Sequence, residues 1–383
     1  MEGQRRRPSW LCALACLALA LLAMTATRGA SALSSAAVFA ASHFTQHGVR
    51  LPTRAFTAAL RAAAVDISHL SCRKSLVLLA MANEDALTYT VPLFLLSLSR
   101  VLIEGGRHAG ETLDARLVLV AWSAEALQMC RALQTQYRHQ CVRDAEHTAA
   151  TGSFGFHSEG FNSLGFAKIK YILNGLSAGH DVVFLDTDIV LLRDPLPHFL
   201  SRGGDLLGSM EKCMIYNGSH AFRSAEFLAL KKRPPPINIG VLYFKATAGV
   251  TRCVYNWAWD MYTEARVRPK VWDQDLYGKV MHRCTSVHAL QLQVLDPRVF
   301  QSGCFPECGC TYGDEEITPR RIGKFSRGYH YLQGGSCGPQ HWADWLMRHY
   351  PCTGLAREKG LYMGNLLEGY YGNKSVRITM RKS

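Results

Sequence analysis

Three short, unbroken apolar runs, Ser75–Ala82 (SLVLLAMA), 116–122 (RLVLVAW) and Asp181–Leu185 (DVVFL), constrain the fold more than any other feature of the chain. A run with no polar side suits a strand covered on both faces. Between and around them lie stretches of helical spacing. One covers 89–103 and stops at Gly105-Gly106, another covers 124–137 behind the cap residue Ser123, and a third covers 161–176 and ends before Gly179. Residues 139–142 offer a further strand. Strands and helices alternating at this spacing predict an α/β domain, a Rossmann-like, mostly parallel sheet flanked by helices.

The second half is less regular. Residues 205–209 and Ile237–Phe244 read as strands, 250–264 as a helix carrying Trp257 and Trp259, and 273–282 as another helix. From Cys304 onward Gly, Cys and Tyr accumulate, the composition of disulfide-held loops. No internal repeat appears. The expected organisation is a tail over 1–9, an apolar segment over 10–27, an Ala/Ser-rich stem over 28–72 with a helix at 56–65, one catalytic domain over 73–352, and a C-terminal tail over 353–383.

Arg5-Arg6-Arg7 precedes the uncharged run from Trp10 to Thr27, the pattern of an export signal. Read as an uncleaved signal anchor, it places the body in the lumen as a single-pass type II membrane protein. Cleavage at Ala30-Ser31-Ala32 is the alternative, and it gives a secreted protein. Of 13 cysteines, only Cys12 and Cys16 lie in that run, so most of the others are expected to pair in an oxidising compartment. The sequons Asn217-Gly218-Ser219 and Asn373-Lys374-Ser375 agree with export. The net charge of +13 is concentrated at the ends, in seven arginines before residue 72 and in Lys374, Arg377, Arg381 and Lys382. No basic face is left for nucleic acid, so none is expected as a partner.

Chemistry concentrates after the third run, which ends in Asp186-Thr187-Asp188. Ligands of open α/β sheets bind at the carboxyl edge. Two carboxylates there, one residue apart, face the same side and repel each other unless a cation lies between them. Hard oxygen ligands suit Mn²⁺ or Mg²⁺. Trp257, Trp259, Trp342 and Trp345 read as core rather than as a sugar platform, and Cys304, Cys308, Cys310, Cys337 and Cys352 as disulfide partners rather than zinc ligands.

The stretch Phe161-Asn162, Gly165-Phe166-Ala167-Lys168, then VVFLDTDIVLLRDPLPHF, resembles the nucleotide-diphospho-sugar transferase domain of glycosyltransferase family 77. Asn238-Ile239-Gly240-Val241 and Trp272-Asp273-Gln274-Asp275 resemble its later motifs, and the likeness covers roughly 75–345. The family includes plant and algal cell-wall xylosyl- and arabinosyltransferases. It implies a GT-A fold, a type II Golgi topology, a divalent cation, a nucleotide-sugar donor (a UDP-sugar) and transfer with retention to a glycan or glycoprotein. Asp188 then ligates the metal, and Asp186 is shared between metal and donor. Lys168 pairs with phosphate or orients Asp186, and Asn238 and Gly240 approach the donor sugar, with Asn83 in the donor-binding set. Asp273, Gln274 and Asp275 take the catalytic position, with Gln274 or Asp275 facing the developing positive charge. His330 is the expected third metal ligand. The segment after it, Gly334-Gly335-Ser336-Cys337, holds no lysine, so no late phosphate ligand is assigned. The rival reading is a lumenal carbohydrate-binding protein on a degenerate GT-A domain; the intact acids favour the enzyme.

Overall fold

The computed structural model describes residues 52–71, 75–143, 159–201, 203–210, 214–216, 237–268, 271–297, 299–302, 317–319, 329–332 and 345–372. The export segment, both sequons, Cys304, Cys308, Cys310, Cys337, Trp342 and the stretch Gly334 to Cys337 lie outside these, as do the side chains of Phe161 and Asn162. Among the described residues no helix is long and apolar enough to cross a membrane.

The elements run α1 (Arg54–Ala63), β1 (Val65–Asp66), β2 (Ser75–Ala82), α2 (Glu84–Tyr89), α3 (Val91–Arg100), β3 (Leu117–Ala121), α4 (Ala124–Leu133), β4 (Gln140–Arg143), α5 (Glu159–Ser177), β5 (Asp181–Leu185), β6 (Ile189–Leu191) and α6 (Leu196–Ser201). They continue with β7 (Leu206–Met210), β8 (Met214–Tyr216), β9 (Ile237–Phe244), α7 (Ala248–Val267), α8 (Asp273–His288), β10 (Leu292–Val294), β11 (Phe300–Ser302), β12 (Ile317–Pro319), β13 (Tyr329–Leu332), β14 (Met347–His349) and α9 (Ala356–Tyr371).

The main sheet has the order β10-β7-β9-β5-β2-β3-β4, with β1 paired to β2. Strands β5, β2, β3 and β4 are parallel, while β9 runs against both its neighbours, β5 and β7. The unbroken apolar runs have the expected cause. Val182 and Phe184 enter one core, packed under α1, α5, α7 and α8. Val183 and Leu185 enter the other, with residues of α3, β6, β14 and α9. Two small sheets, β11-β14-β6 and β12-β13-β8, complete the pairing.

Several boundaries differ from the expectation. The helix at the end of the expected stem, α1, belongs to the body: Thr53 caps it, and Phe56, Leu60 and Ala63 are buried in the first core. The helix expected over 89–103 is α3, shorter at both ends and preceded by the separate α2, because Pro92 lacks a backbone donor and fits only the first turn of a new helix. Residues 356–371, expected within a tail, form α9, with Met363, Leu366 and Leu367 buried in the second core. Disulfides tie Cys130 of α4 to Cys141 of β4, and Cys253 of α7 to Cys284 of α8. Cys352 is also disulfide-bonded. Trp257 and Trp345 are fully buried, whereas Trp259 is exposed.

Candidate functional site

The backbone beyond β5 is held from two directions. The Asp186 amide donates to the Gly240 carbonyl (2.8 Å), which continues the β5–β9 ladder by one residue, and the Tyr350 amide donates to the Asp188 carbonyl (3.0 Å). Between them Thr187 is buried, its hydroxyl 3.5 Å from that of Thr90. The alternation expected from the sequence therefore holds, and the two carboxylates share one side with a set of cations. Lys168 Nζ lies 2.9 Å from Asp186 Oδ1 and 3.4 Å from the Ile239 carbonyl. Lys359 Nζ lies 2.6 Å from Asp188 Oδ2.

Burial shapes the titration of these groups but does not decide it. It would lower both lysines, yet Asp186 and Asp273 around Lys168, and Asp188 beside Lys359, hold them above the ordinary lysine value. Burial likewise pushes the Asp188 carboxyl up, and Lys359 and His349 outweigh it, keeping the group well below the usual carboxylate range. Asp273 is the opposite case. Burial dominates there, only partly countered by Lys168, and its carboxyl is pushed up to about 6.

The histidine that the fold brings to the carboxylates is His349, the last residue of β14, which faces Ile189 in register. Its Nε2 is 3.1 Å from Asp188 Oδ1 and 3.8 Å from Asp186 Oδ2. Ligand atoms of the three residues lie within 4.8 Å of one another. Asp188 Oδ1 and His349 Nε2 are buried, and beyond their close contact with each other neither has a hydrogen-bond partner. Two carboxylates and an imidazole with orphaned atoms turned to one point fit a divalent cation. His330, the ligand expected from the sequence, is in β13, its backbone opposite Ile215 and Pro319; its side chain lies outside the described residues. The signal that could have favoured His349 is its place at the end of a buried strand, but nothing local to the chain ties residue 349 to residue 188.

These groups line a cleft of about 690 Å³. Asn83, Lys168, Asp186, Asn238 and Gly240 all reach it. Asn83 caps α2 through its side-chain oxygen, which accepts from the Ala86 amide at 3.0 Å. The Asn238 side chain turns back on its own strand, accepting from the Gly240 amide at 2.9 Å. The Cα of Gly240 lies against the His349 ring, where an added Cβ would strike the imidazole. Of the triplet, Asp273 and Gln274 line the cleft. Asp273 packs against Gly165, and Gln274 Oε1 accepts from the Ile239 amide at 3.3 Å. Asp275 does not join them. It is solvent-exposed and accepts from the Trp272 amide at 3.4 Å, at the third position of α8. Lys359 completes the cleft from α9, a residue that the sequence reading assigned to a tail.

A family model described as nucleotide-diphospho-sugar transferase matches residues 112–318. No curated protein matches the sequence. Among solved structures, a glycosyltransferase involved in the glycosylation of the major capsid of PBCV-1 aligns at 13% identity over 75% of this chain and 98% of that one, with a TM-score of 0.36. Mouse xyloside xylosyltransferase 1 in its apo form aligns at 14% over 59% of this chain and 87% of that one, with a TM-score of 0.31. The glycosyltransferase GlyE of Streptococcus pneumoniae TIGR4 aligns at 13% over 58% of this chain, with a TM-score of 0.33, and only 45% of its own length is spanned. Likeness at these scores carries no argument about chemistry.

Proposed function

The chain belongs to the nucleotide-diphospho-sugar transferase family and is a glycosyltransferase, and from that premise we propose that it is a metal-dependent, retaining enzyme that moves a pentose or hexose from a UDP-sugar to a glycan or glycoprotein. The observation that carries the metal dependence is the pair of buried, unbonded atoms, Asp188 Oδ1 and His349 Nε2, 3.1 Å apart beside Asp186. Asp186, Asp188 and His349 would hold Mn²⁺ or Mg²⁺, which supplies Lewis-acid neutralisation of the diphosphate leaving group.

The remaining work falls to the chain's own residues. Lys168 and Lys359 bring ammonium groups to the edge of the cleft where the two carboxylates stand, and there they stabilise phosphate charge. Gln274, held by the Ile239 amide, is the triplet member we assign to the sugar, with Asp273 behind it. Asp275 is left out of the catalytic set and assigned to the helix cap.

We also place the protein in the secretory pathway as a type II Golgi enzyme of glycosyltransferase family 77. The Trp10 to Thr27 run, the two sequons and the Cys130–Cys141 and Cys253–Cys284 disulfides support an oxidising compartment, and the motif order from Phe161 to Asp275 supports the family. The test is a panel of nucleotide sugars with the purified protein, scoring nucleotide release with and without Mn²⁺. Release from one donor, dependent on Mn²⁺ and lost in chelator, is expected. Turnover indifferent to chelator overturns the metal assignment, and glycan binding without turnover of any donor supports a carbohydrate-binding role instead.

A further inference from the structure

Glycine inside a buried strand is costly, because it loses more chain entropy than any other residue and packs nothing. Gly240 stands in the middle of β9, a strand buried at every position, and its backbone angles are ordinary, so no positive φ requires it. The requirement is steric. A Cβ on Gly240 would fall 2.1 Å from His349 Cε1, 2.6 Å from Nε2 and 2.8 Å from Nδ1, closer than real Cβ atoms approach their neighbours. The imidazole lies against the bare Cα, 3% exposed, with neither ring nitrogen hydrogen-bonded. Metal-bound histidines are normally oriented by a hydrogen bond from the second ring nitrogen. Here packing against the backbone does that work.

The same residue also holds one of the acids, since its carbonyl accepts the Asp186 amide at 2.8 Å. We propose that Gly240 is a positioning residue for the ion site: its bare Cα seats the His349 ring so that Nε2 meets Asp188, and its carbonyl sets Asp186 beside them. This rests on the reading of Asp186, Asp188 and His349 as ion ligands. It replaces the expected contact of Gly240 with the donor sugar.

The experiment titrates Mn²⁺ alone, by calorimetry, into wild type, Gly240→Ala, His349→Ala and the double variant. Melting temperatures are measured in parallel in chelator. Each single substitution is expected to weaken Mn²⁺ binding about 10- to 100-fold, the usual cost of losing a ligand's orientation. Two substitutions acting through one ring should not add, so the double variant binds no more than about threefold more weakly than His349→Ala. In chelator, Gly240→Ala melts below wild type, and adding His349→Ala raises it, because the ring that the new methyl strikes is gone. Wild-type Mn²⁺ affinity in Gly240→Ala beside a weakened His349→Ala overturns this proposal alone, as does a double variant that loses the product of the two effects. His349→Ala at wild-type affinity overturns the ion-site reading and this proposal with it. Should Gly240→Ala fail to fold, a folded double variant supports the seating role, and failure of both overturns it.

Discussion

Lys359→Met tests whether the cleft is balanced by charge. Lys168 pairs with Asp186 and Lys359 with Asp188, one lysine to each acid. Methionine keeps the length of the lysine stem and removes its charge. It leaves Asp188, whose side chain is 11% exposed, without its 2.6 Å partner. An uncompensated buried charge costs about 3–5 kcal/mol. The site opens onto a cleft that water can enter, so we expect about 2 kcal/mol, or roughly 4 °C in melting temperature for a domain of this size. Mn²⁺ should restore it, because an ion bound at about 100 times its dissociation constant contributes about 2.7 kcal/mol and replaces the missing cation. The variant therefore gains more from Mn²⁺ than wild type does. The pH dependence follows from the lowered Asp188 carboxyl: its contribution is present above the ordinary carboxylate value of 3.8 and is lost as pH falls below it. Lys359→Met should flatten that acid limb. Differential scanning calorimetry with and without Mn²⁺ reads all of this. A deficit of the same size in both conditions would refute the reasoning, since Lys359 would then be acting only through the packing of α9.

Three further outcomes follow from the site. Asp188→Ala should abolish Mn²⁺-dependent UDP binding in a folded protein, and unchanged affinity by calorimetry removes Asp188 from the ion site. Asp275→Asn should leave kcat within about twofold of wild type, since asparagine also caps a helix; a loss of two orders of magnitude would return Asp275 to the chemistry. Asp273→Asn should raise stability in chelator increasingly as pH climbs from about 4 to about 6. The folded carboxyl titrates near 6 against 3.8 when free, so the folded state holds its proton longer and wild type loses stability across that window. Parallel melting curves for the two proteins would show that the carboxyl is not held up by burial.

The part of the site that could be read from the sequence is the part made by neighbours in the chain. DVVFL reads as a strand because both its faces are covered, and the two acids beyond it share a side because strands alternate. Lys168 was legible through its motif. His349 and Lys359 were not, because they reach Asp188 from β14 and α9 across 161 and 171 residues respectively, and no spacing encodes that meeting. The reversed direction of β9 was equally hidden, since an apolar strand has the same pattern either way. Asp275 shows the converse limit. An acid three residues into a helix start looks the same whether it faces a substrate or its own backbone, and only the capping geometry separates them.

The distance between Asp188 and Lys359 along the chain also orders events in time. Strand β5 and its partners β2 and β9 are made by residue 244, yet the ammonium beside Asp188 is 171 residues further on than the acid itself, and Tyr350, whose amide holds the Asp188 carbonyl, also comes late. At about 5–20 residues per second, synthesis leaves that carboxylate waiting on the order of ten to thirty seconds for its lysine. During that interval neither Lys359 nor His349, the two groups that contact the Asp188 carboxylate, has been made, so the site closes only when the C-terminal segment arrives.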